Sequence, residues 1–171
     1  LRFNNDKRKV FRQLELLVID EVSMVRCDLL DAIDTVLRFV RKRPNEAFGG
    51  VQVLFIGDLY QLPPVTRDTD WKKLNEFYLS PFFFDSQVLK EQLPLYIEFQ
   101  KIYRQTDQAF INLLNQVRNN QLNEEGMNLL ESRYNPGFRR QKDDGYIILT
   151  THNEQARNTN SNQLQQLPGT A

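Results

Sequence analysis

Two continuous apolar runs, each ending in acid, dominate the hydrophobic pattern: Leu16-Leu17-Val18-Ile19-Asp20-Glu21 and Val51-Gln52-Val53-Leu54-Phe55-Ile56-Gly57-Asp58. Aliphatic runs without polar alternation suit strands buried on both faces of a parallel sheet covered by helices. Carboxylates do not belong in such a core. Placed where the run stops, they can face a crevice at the carboxyl ends of the strands, the usual ligand position in an open α/β sheet. Because both runs end this way, a single acidic site is the economical reading.

The residues between the runs predict a crossover helix. Asp28 is a plausible N-cap, and Leu29, Leu30, Ile33, Val36, Leu37 and Val40 recur at helical spacing, which lays one apolar stripe against the sheet. Arg38, Arg41, Lys42 and Arg43 crowd the last turn, Pro44 stops it, and Gly49-Gly50 turns the chain into the second strand. Strand, helix, strand is a βαβ unit with a right-handed crossover expected. Before it, Arg2, Lys7, Arg8, Lys9 and Arg12 alternate with Asp6 and Glu15, as in a solvated helix or connector.

After Asp58, Pro63-Pro64 excludes helix and stiffens a loop, and a weaker helical stretch follows around Trp71–Tyr78. Phe82-Phe83-Phe84 reads as a strand or edge packed under helices, because nothing basic interleaves the rings. Leu95-Tyr96-Ile97-Glu98-Phe99 alternates like a strand. A capped helix is expected from Thr106 or Asp107, with Ala109, Phe110, Leu113, Leu114 and Val117 on one face, and a short helix after Asn123. A charged loop at 139–144 precedes a buried-type strand, Tyr146–Thr150, and a helix from Asn153 with Ala156, Leu164 and Leu167 as weak anchors.

Composition narrows the function classes. A hydrophobic share of 40% with 12 Phe and 6 Tyr argues for a packed core and against disorder. With 22 basic and 22 acidic residues, any nucleic-acid binding must come from local patches. The single cysteine, Cys27, excludes an internal disulfide framework and a cysteine zinc site, and fits a reducing compartment. At a helix start its thiol pKa could be lowered, although packing is the plainer role. No apolar run reaches membrane-spanning length and no signal peptide is evident, so a soluble intracellular protein is expected, cytoplasmic or nucleoid-associated if bacterial. The chain starts at Leu1 and stops where a helix should lead into another strand, which is expected of an excerpt from a longer protein.

Four aliphatics followed by Asp-Glu is the pattern by which P-loop ATPases place a magnesium carboxylate beside a catalytic one. Mg²⁺ takes hard oxygen ligands and keeps several waters, while a second carboxylate can orient or deprotonate the attacking water. Acidic residues that merely cap a strand end, or pair with a surface Arg, would look the same. The second run adds Gly57-Asp58-Leu59-Tyr60-Gln61-Leu62-Pro63-Pro64-Val65, whose spacing puts Gln61 beside the same crevice.

Together, Ile19-Asp20-Glu21-Val22-Ser23-Met24 and Gly57–Val65 resemble motifs II and III of superfamily-one helicases. Ser23-Met24 and Gln61-Leu62-Pro63-Pro64 look like the 5′-to-3′ branch of RecD and the Pif-type DNA helicases, and are closest to the latter. Tyr103-Arg104-Gln105 is similar to motif IV, and Thr150-Thr151-His152-Asn153 to the strand-to-helix step of a second RecA-like domain. The resemblance implies an α/β, RecA-like P-loop ATPase core with a parallel sheet flanked by helices. Residues 1–100 would complete a first domain and 101–171 would begin a second.

Position by position, the resemblance implies that Asp20 holds Mg²⁺ and that Glu21 activates the hydrolytic water. Gln61 would sense the γ-phosphate of ATP, and Arg104 would reach across the cleft as an arginine finger, worth roughly 10³–10⁵ in rate in phosphoryl transfer. A surface ion pair is the plainer reading of Arg104. Tyr60, Pro63, Thr151 and Asn153 are candidate nucleic-acid contacts, Tyr60 and Trp71 by stacking and Thr151 and Asn153 through helix-start N–H groups. Packing and simple N-capping are the plainer readings. His152, the only histidine, has no partner for a metal site.

The expected partners are single-stranded and forked duplex DNA, without a membrane, for a protein expected to be monomeric. No Gly-x-x-x-x-Gly-Lys-Ser/Thr loop occurs in these 171 residues. The chain by itself is therefore expected not to hydrolyse ATP. A non-catalytic relic that keeps a DNA or partner surface, and another RecD-like ATPase such as an exonuclease or relaxase subunit, remain open.

Overall fold

The computed structural model describes residues 4–139 and 145–167. Arg2 of the basic stretch, residues 140–144 of the charged loop and the last residues, 168–171, lie outside them. The chain divides into two compact units, one through Leu122 and one from Asn123.

Helix α1 spans Asn5–Gln13, capped by Asn4, whose side chain accepts from the Lys7 N–H at 2.9 Å. Strand β1 is Leu16–Ile19, helix α2 Cys27–Arg41 and strand β2 Gln52–Phe55. The strands pair in parallel, Leu16 with Gln52 through Ile19 with Phe55, which makes the expected βαβ unit. Arg41 holds this unit together. Its guanidinium donates to the carbonyls of Phe11, Arg12 and Leu14 at 2.8–3.0 Å and to that of Gly49 at 2.7 Å, tying the end of α1 to the turn before β2. Gly49, at φ +60°, passes so close to α2 that a Cβ there would lie 2.6 Å from the Leu37 carbonyl oxygen.

The core forms on one face of the sheet. Leu30 and Leu37 of α2 join Phe48, Val51, Val88 and Leu89, with Leu17, Ile19, Val53 and Phe55 packed against them. The other face is open: Leu16, Val18 and Leu54 are exposed. This corrects the expectation of strands buried on both sides, because no element among the described residues covers the second face.

Helix α2 begins differently from its sequence pattern. Arg26 occupies the N-cap position, and Asp28, inside the first turn, is engaged by the Arg26 guanidinium at 2.6 and 2.8 Å, which leaves it no part in capping. The buried stripe runs through Cys27, Leu30, Asp34, Leu37 and Val40, which turns Leu29 out to solvent. Asp34 is a buried carboxylate satisfied by the Phe48 N–H at 2.6 Å and by Arg38 at 2.8 Å. Cys27 is fully buried, and burial pushes its thiol pKa up rather than down, as packing requires. Lys42, in the left-handed region at φ 60°, closes the helix ahead of Pro44.

Helices α3, Asp68–Leu74, and α4, Gln87–Glu91, frame the Phe cluster. Phe82 bridges antiparallel to Arg26 and Phe83–Asp85 forms a 3₁₀ turn, so the run is not a strand; Phe83 stacks on Phe55 while Phe84 is exposed. Asp31 of α2 fastens this region by accepting from Tyr78 Oη at 2.8 Å, Gln87 N at 2.9 Å and Val88 N at 3.0 Å.

Helix α5, Gln108–Arg118, starts at Asp107, whose carboxylate accepts from the N–H groups of Ala109 and Phe110; of its expected apolar face Leu113 is buried, while Phe110, Leu114 and Val117 are exposed. Helix α6, Glu124–Glu131, is capped by Asn123, and helix α7 is Asn153–Gln165, with Leu164 and Leu167 exposed. Leu95–Phe99 and Tyr146–Thr150 are not strands. Both are exposed, since an alternating or an apolar run yields a strand only where a second strand offers its N–H and C=O groups, and neither finds one among the described residues. Among the described residues no helix is long and apolar enough to cross a membrane.

Candidate functional site

The carboxyl ends of β1 and β2 are stitched together beyond the last ladder pair. Ile56 N donates to the Ile19 carbonyl and Val22 N to the Ile56 carbonyl, both at 2.9 Å. This fixes Asp20-Glu21 beside the start of the Gly57–Val65 loop. Gly57 is required there, because a Cβ would lie 2.9 Å from Val22 N and 3.0 Å from its Cγ1.

Asp20 and Glu21 are both exposed at this edge. Glu21 adopts the left-handed conformation, φ 51°, ψ 42°, and its N–H donates to Asp20 Oδ1 at 2.8 Å. For a residue with a Cβ this backbone costs about 1–2 kcal/mol, and such strain concentrates at functional positions. The following Val22 and Ser23 are buried in a 3₁₀ turn, Val22–Met24. That turn anchors the acidic pair from behind.

In the facing loop the Asp58 carboxylate accepts from the Tyr60 N–H at 3.1 Å and from Gln61 Nε2 at 3.3 Å. Gln61 N also donates to the Asp58 carbonyl at 3.0 Å, closing a tight turn. Arg118, from the last turn of α5, reaches the same carboxylate at 3.1 Å and lies over the Tyr60 ring, 4.8 Å from its centroid. One face of Tyr60 is thus covered by a guanidinium. Pro64 is buried and Pro63 exposed, while Trp71, in α3, is half-buried.

The structure brings Asp20, Glu21 and the loop of Tyr60 and Gln61 to one sheet edge. Arg104 is exposed, and no hydrogen bond or ion pair among the described residues joins it to Asp20, Glu21 or Gln61. Thr151 and Asn153 belong to the unit that begins at Asn123. There His152 occupies the N-cap position of α7 without a side-chain cap bond, so Asn153, the first residue of the helix, is not the N-cap expected of it. The His152 N–H donates to Thr150 Oγ1 at 3.3 Å, and Thr151 Oγ1 bonds His152 Nδ1 at 2.9 Å.

The sequence marked Asp58 only as the acid that ends the second run; its role in holding the Gln61 loop, and Arg118 as its partner, come from the fold. An Asp three residues before Gln61 is a turn signal that could have paired the two. Arg118 lies sixty residues away and carries no local signal.

An exposed carboxylate at a strand end suits Mg²⁺, which binds through one or two carboxylates, phosphate oxygens and retained waters rather than in an all-protein cage. Asp20 fits that description. Among the described residues no group of three or more His, Cys, Asp or Glu side chains forms a fuller set of ligands.

Known proteins resemble this chain over most of its length. Residues 1–128 match the family model of the PIF1-like helicases. The chain is 37% identical over 164 residues to the human ATP-dependent DNA helicase PIF1, covering 95% of this chain and 24% of that protein. It is 36% identical over 169 residues to its Saccharomyces cerevisiae namesake, covering 18% of that protein. The crystal structure of Pif1 helicase from Bacteroides in complex with ADP-AlF3 and ssDNA superposes with a TM-score of 0.88 at 39% identity, over 99% of this chain and 39% of that one. The chain therefore spans about a quarter of the length of the human relative.

Proposed function

Because this chain belongs to the PIF1-like helicase family, we propose that the protein containing it is an ATP-dependent DNA helicase that moves 5′ to 3′ on single-stranded DNA and unwinds duplexes. The observation that carries this reading is the stitched pair of strand ends, which sets Asp20-Glu21 beside the Gln61 loop. RecA-like helicases need that adjacency, since hydrolysis and the sensing of its progress must share one phosphate.

In this reading Asp20 holds Mg²⁺, which when bound neutralises charge on the phosphates. Glu21, placed on a strained backbone at the crevice edge, takes a proton from the attacking water. Gln61 contacts the γ-phosphate and passes its presence to the loop of Tyr60 and Pro63, which contacts DNA. Arg104 completes the site from a second RecA-like domain, beginning near residue 101, when ATP draws the two domains together. Thr151 and Asn153, at the start of α7, take a DNA phosphate through backbone N–H groups. Single-stranded and forked DNA are the partners, and the protein acts inside the cell as a monomer.

The 171 residues include no phosphate-binding Gly-Lys-Ser/Thr loop, so this chain alone binds ATP poorly and does not turn it over. The test is ATP turnover by the intact protein with and without single-stranded DNA. Wild type should be stimulated by DNA, and Glu21→Gln should keep nucleotide binding while losing roughly 10²–10⁴-fold in turnover, the range a general base supplies. Normal turnover by Glu21→Gln rejects the base assignment, and a wild type without DNA-stimulated turnover rejects the helicase reading.

A further inference from the structure

We propose that Arg118 is a positioning residue for Gln61, acting through Asp58 and Tyr60. The proposal rests on the reading of Gln61 as the phosphate-sensing residue.

The Gln61 side chain is exposed, and an exposed glutamine samples many rotamers unless something holds it. What holds it here is Asp58 Oδ2, at 3.3 Å, a long bond that depends on how the carboxylate is turned. The other oxygen, Oδ1, decides that. It accepts from the Tyr60 N–H at 3.1 Å and from Arg118 Nη2 at 3.1 Å. With Oδ1 engaged twice, Oδ2 is left facing Gln61.

Arg118 makes a second contact with the same loop. Its guanidinium lies 4.8 Å from the centroid of the Tyr60 ring, so one side chain grips the residue before Gln61 and the carboxylate that holds Gln61. A planar guanidinium can donate in its plane while stacking through its face, which an ammonium does not do. Arg118 sits on α5, which begins four residues after Arg104. A movement of α5 would release Asp58 and Gln61 together.

The experiment is steady-state ATP turnover by the intact protein on single-stranded DNA for Arg118→Ala, Gln61→Ala and the double variant. Arg118→Ala should lower kcat by roughly threefold to tenfold, the range of a partly exposed charge-assisted hydrogen bond, with KM for ATP little changed. Arg118→Lys should recover part of the loss. In the Gln61→Ala background, Arg118→Ala should cost nothing further. An equal loss in both backgrounds overturns the proposal, since Arg118 would then act elsewhere or only through folding.

A second measurement does not depend on turnover. In protein labelled with 3-fluorotyrosine, the Tyr60 resonance, assigned by its disappearance in Tyr60→Phe, should shift in Arg118→Ala. An unmoved resonance overturns the proposal. A wild type that does not hydrolyse ATP rejects the functional reading instead, and the fluorine signal still decides whether Arg118 holds the loop.

Discussion

The backbone N–H of Val22 donates to the carbonyl of Ile56 at 2.9 Å, joining the turn after the first acidic strand to the last residue before Gly57. With the Ile56 N–H bond to the Ile19 carbonyl, this bond converts two strands neighbouring in a ladder into two loops held at fixed spacing. Its geometry admits only a glycine at the next position.

Gly57→Ala should therefore damage both stability and activity. The new methyl would meet Val22 N at 2.9 Å, which is backbone and has little room to yield. Overpacking of this kind costs about 1–3 kcal/mol. Urea denaturation of the variant should show that loss, and DNA-stimulated turnover should fall with it. An unchanged midpoint would mean that the two loops are not held as described.

Glu21 trades stability for position. Replacing it by Gly removes about 1–2 kcal/mol of left-handed strain but adds about 0.5–1 kcal/mol of unfolded-chain entropy, for a net change between about zero and 1.5 kcal/mol in favour of the fold. The melting temperature of Glu21→Gly should stay level or rise while turnover collapses. A fall of several degrees would show that the Glu21 side chain supports the fold.

Asp31 is a purely structural counterpart. It accepts from Tyr78 Oη and from the N–H groups of Gln87 and Val88, so Asp31→Ala leaves three donors to find new partners. The expected loss is about 2–4 kcal/mol, read as a lower urea midpoint. Stability close to wild type would show that water replaces the carboxylate without penalty.

The same contact predicts a response to alkali. Burial, then the Asp31 carboxylate, pushes the Tyr78 pKa well above the ordinary value of about 10. With the folded value raised, the contribution is complete below about pH 10 and is lost as pH rises beyond it, because the unfolded chain ionises first. Between pH 9 and 11 the urea midpoint of wild type should fall more steeply than that of Tyr78→Phe. Parallel profiles would contradict the assignment.

Local pattern made much of this legible. Leu16–Ile19 and Val51–Ile56 showed their strands because continuous aliphatic runs between turn residues leave few alternatives, and Asp107 and Asn123 marked their helices because capping is a short-range bond. What failed was what depends on a distant partner. Asp28 has the chemistry of a cap but is captured by Arg26, and the alternating Leu95–Phe99 and the apolar run Tyr146–Thr150 find no strand to pair with among the described residues. Asp20, Glu21 and Gln61 stood out because each follows a strand closely. Arg118 did not, since sixty residues separate it from Asp58 and only the folded chain brings them to 3.1 Å.

The most direct measurement is strand polarity of unwinding by the intact protein, on duplexes that carry either a 5′ or a 3′ single-stranded tail, with ATP and Mg²⁺. Wild type should separate the 5′-tailed duplex and leave the 3′-tailed one paired, and Glu21→Gln should separate neither. Unwinding of the 3′-tailed duplex alone, or undiminished unwinding by Glu21→Gln, would contradict the account.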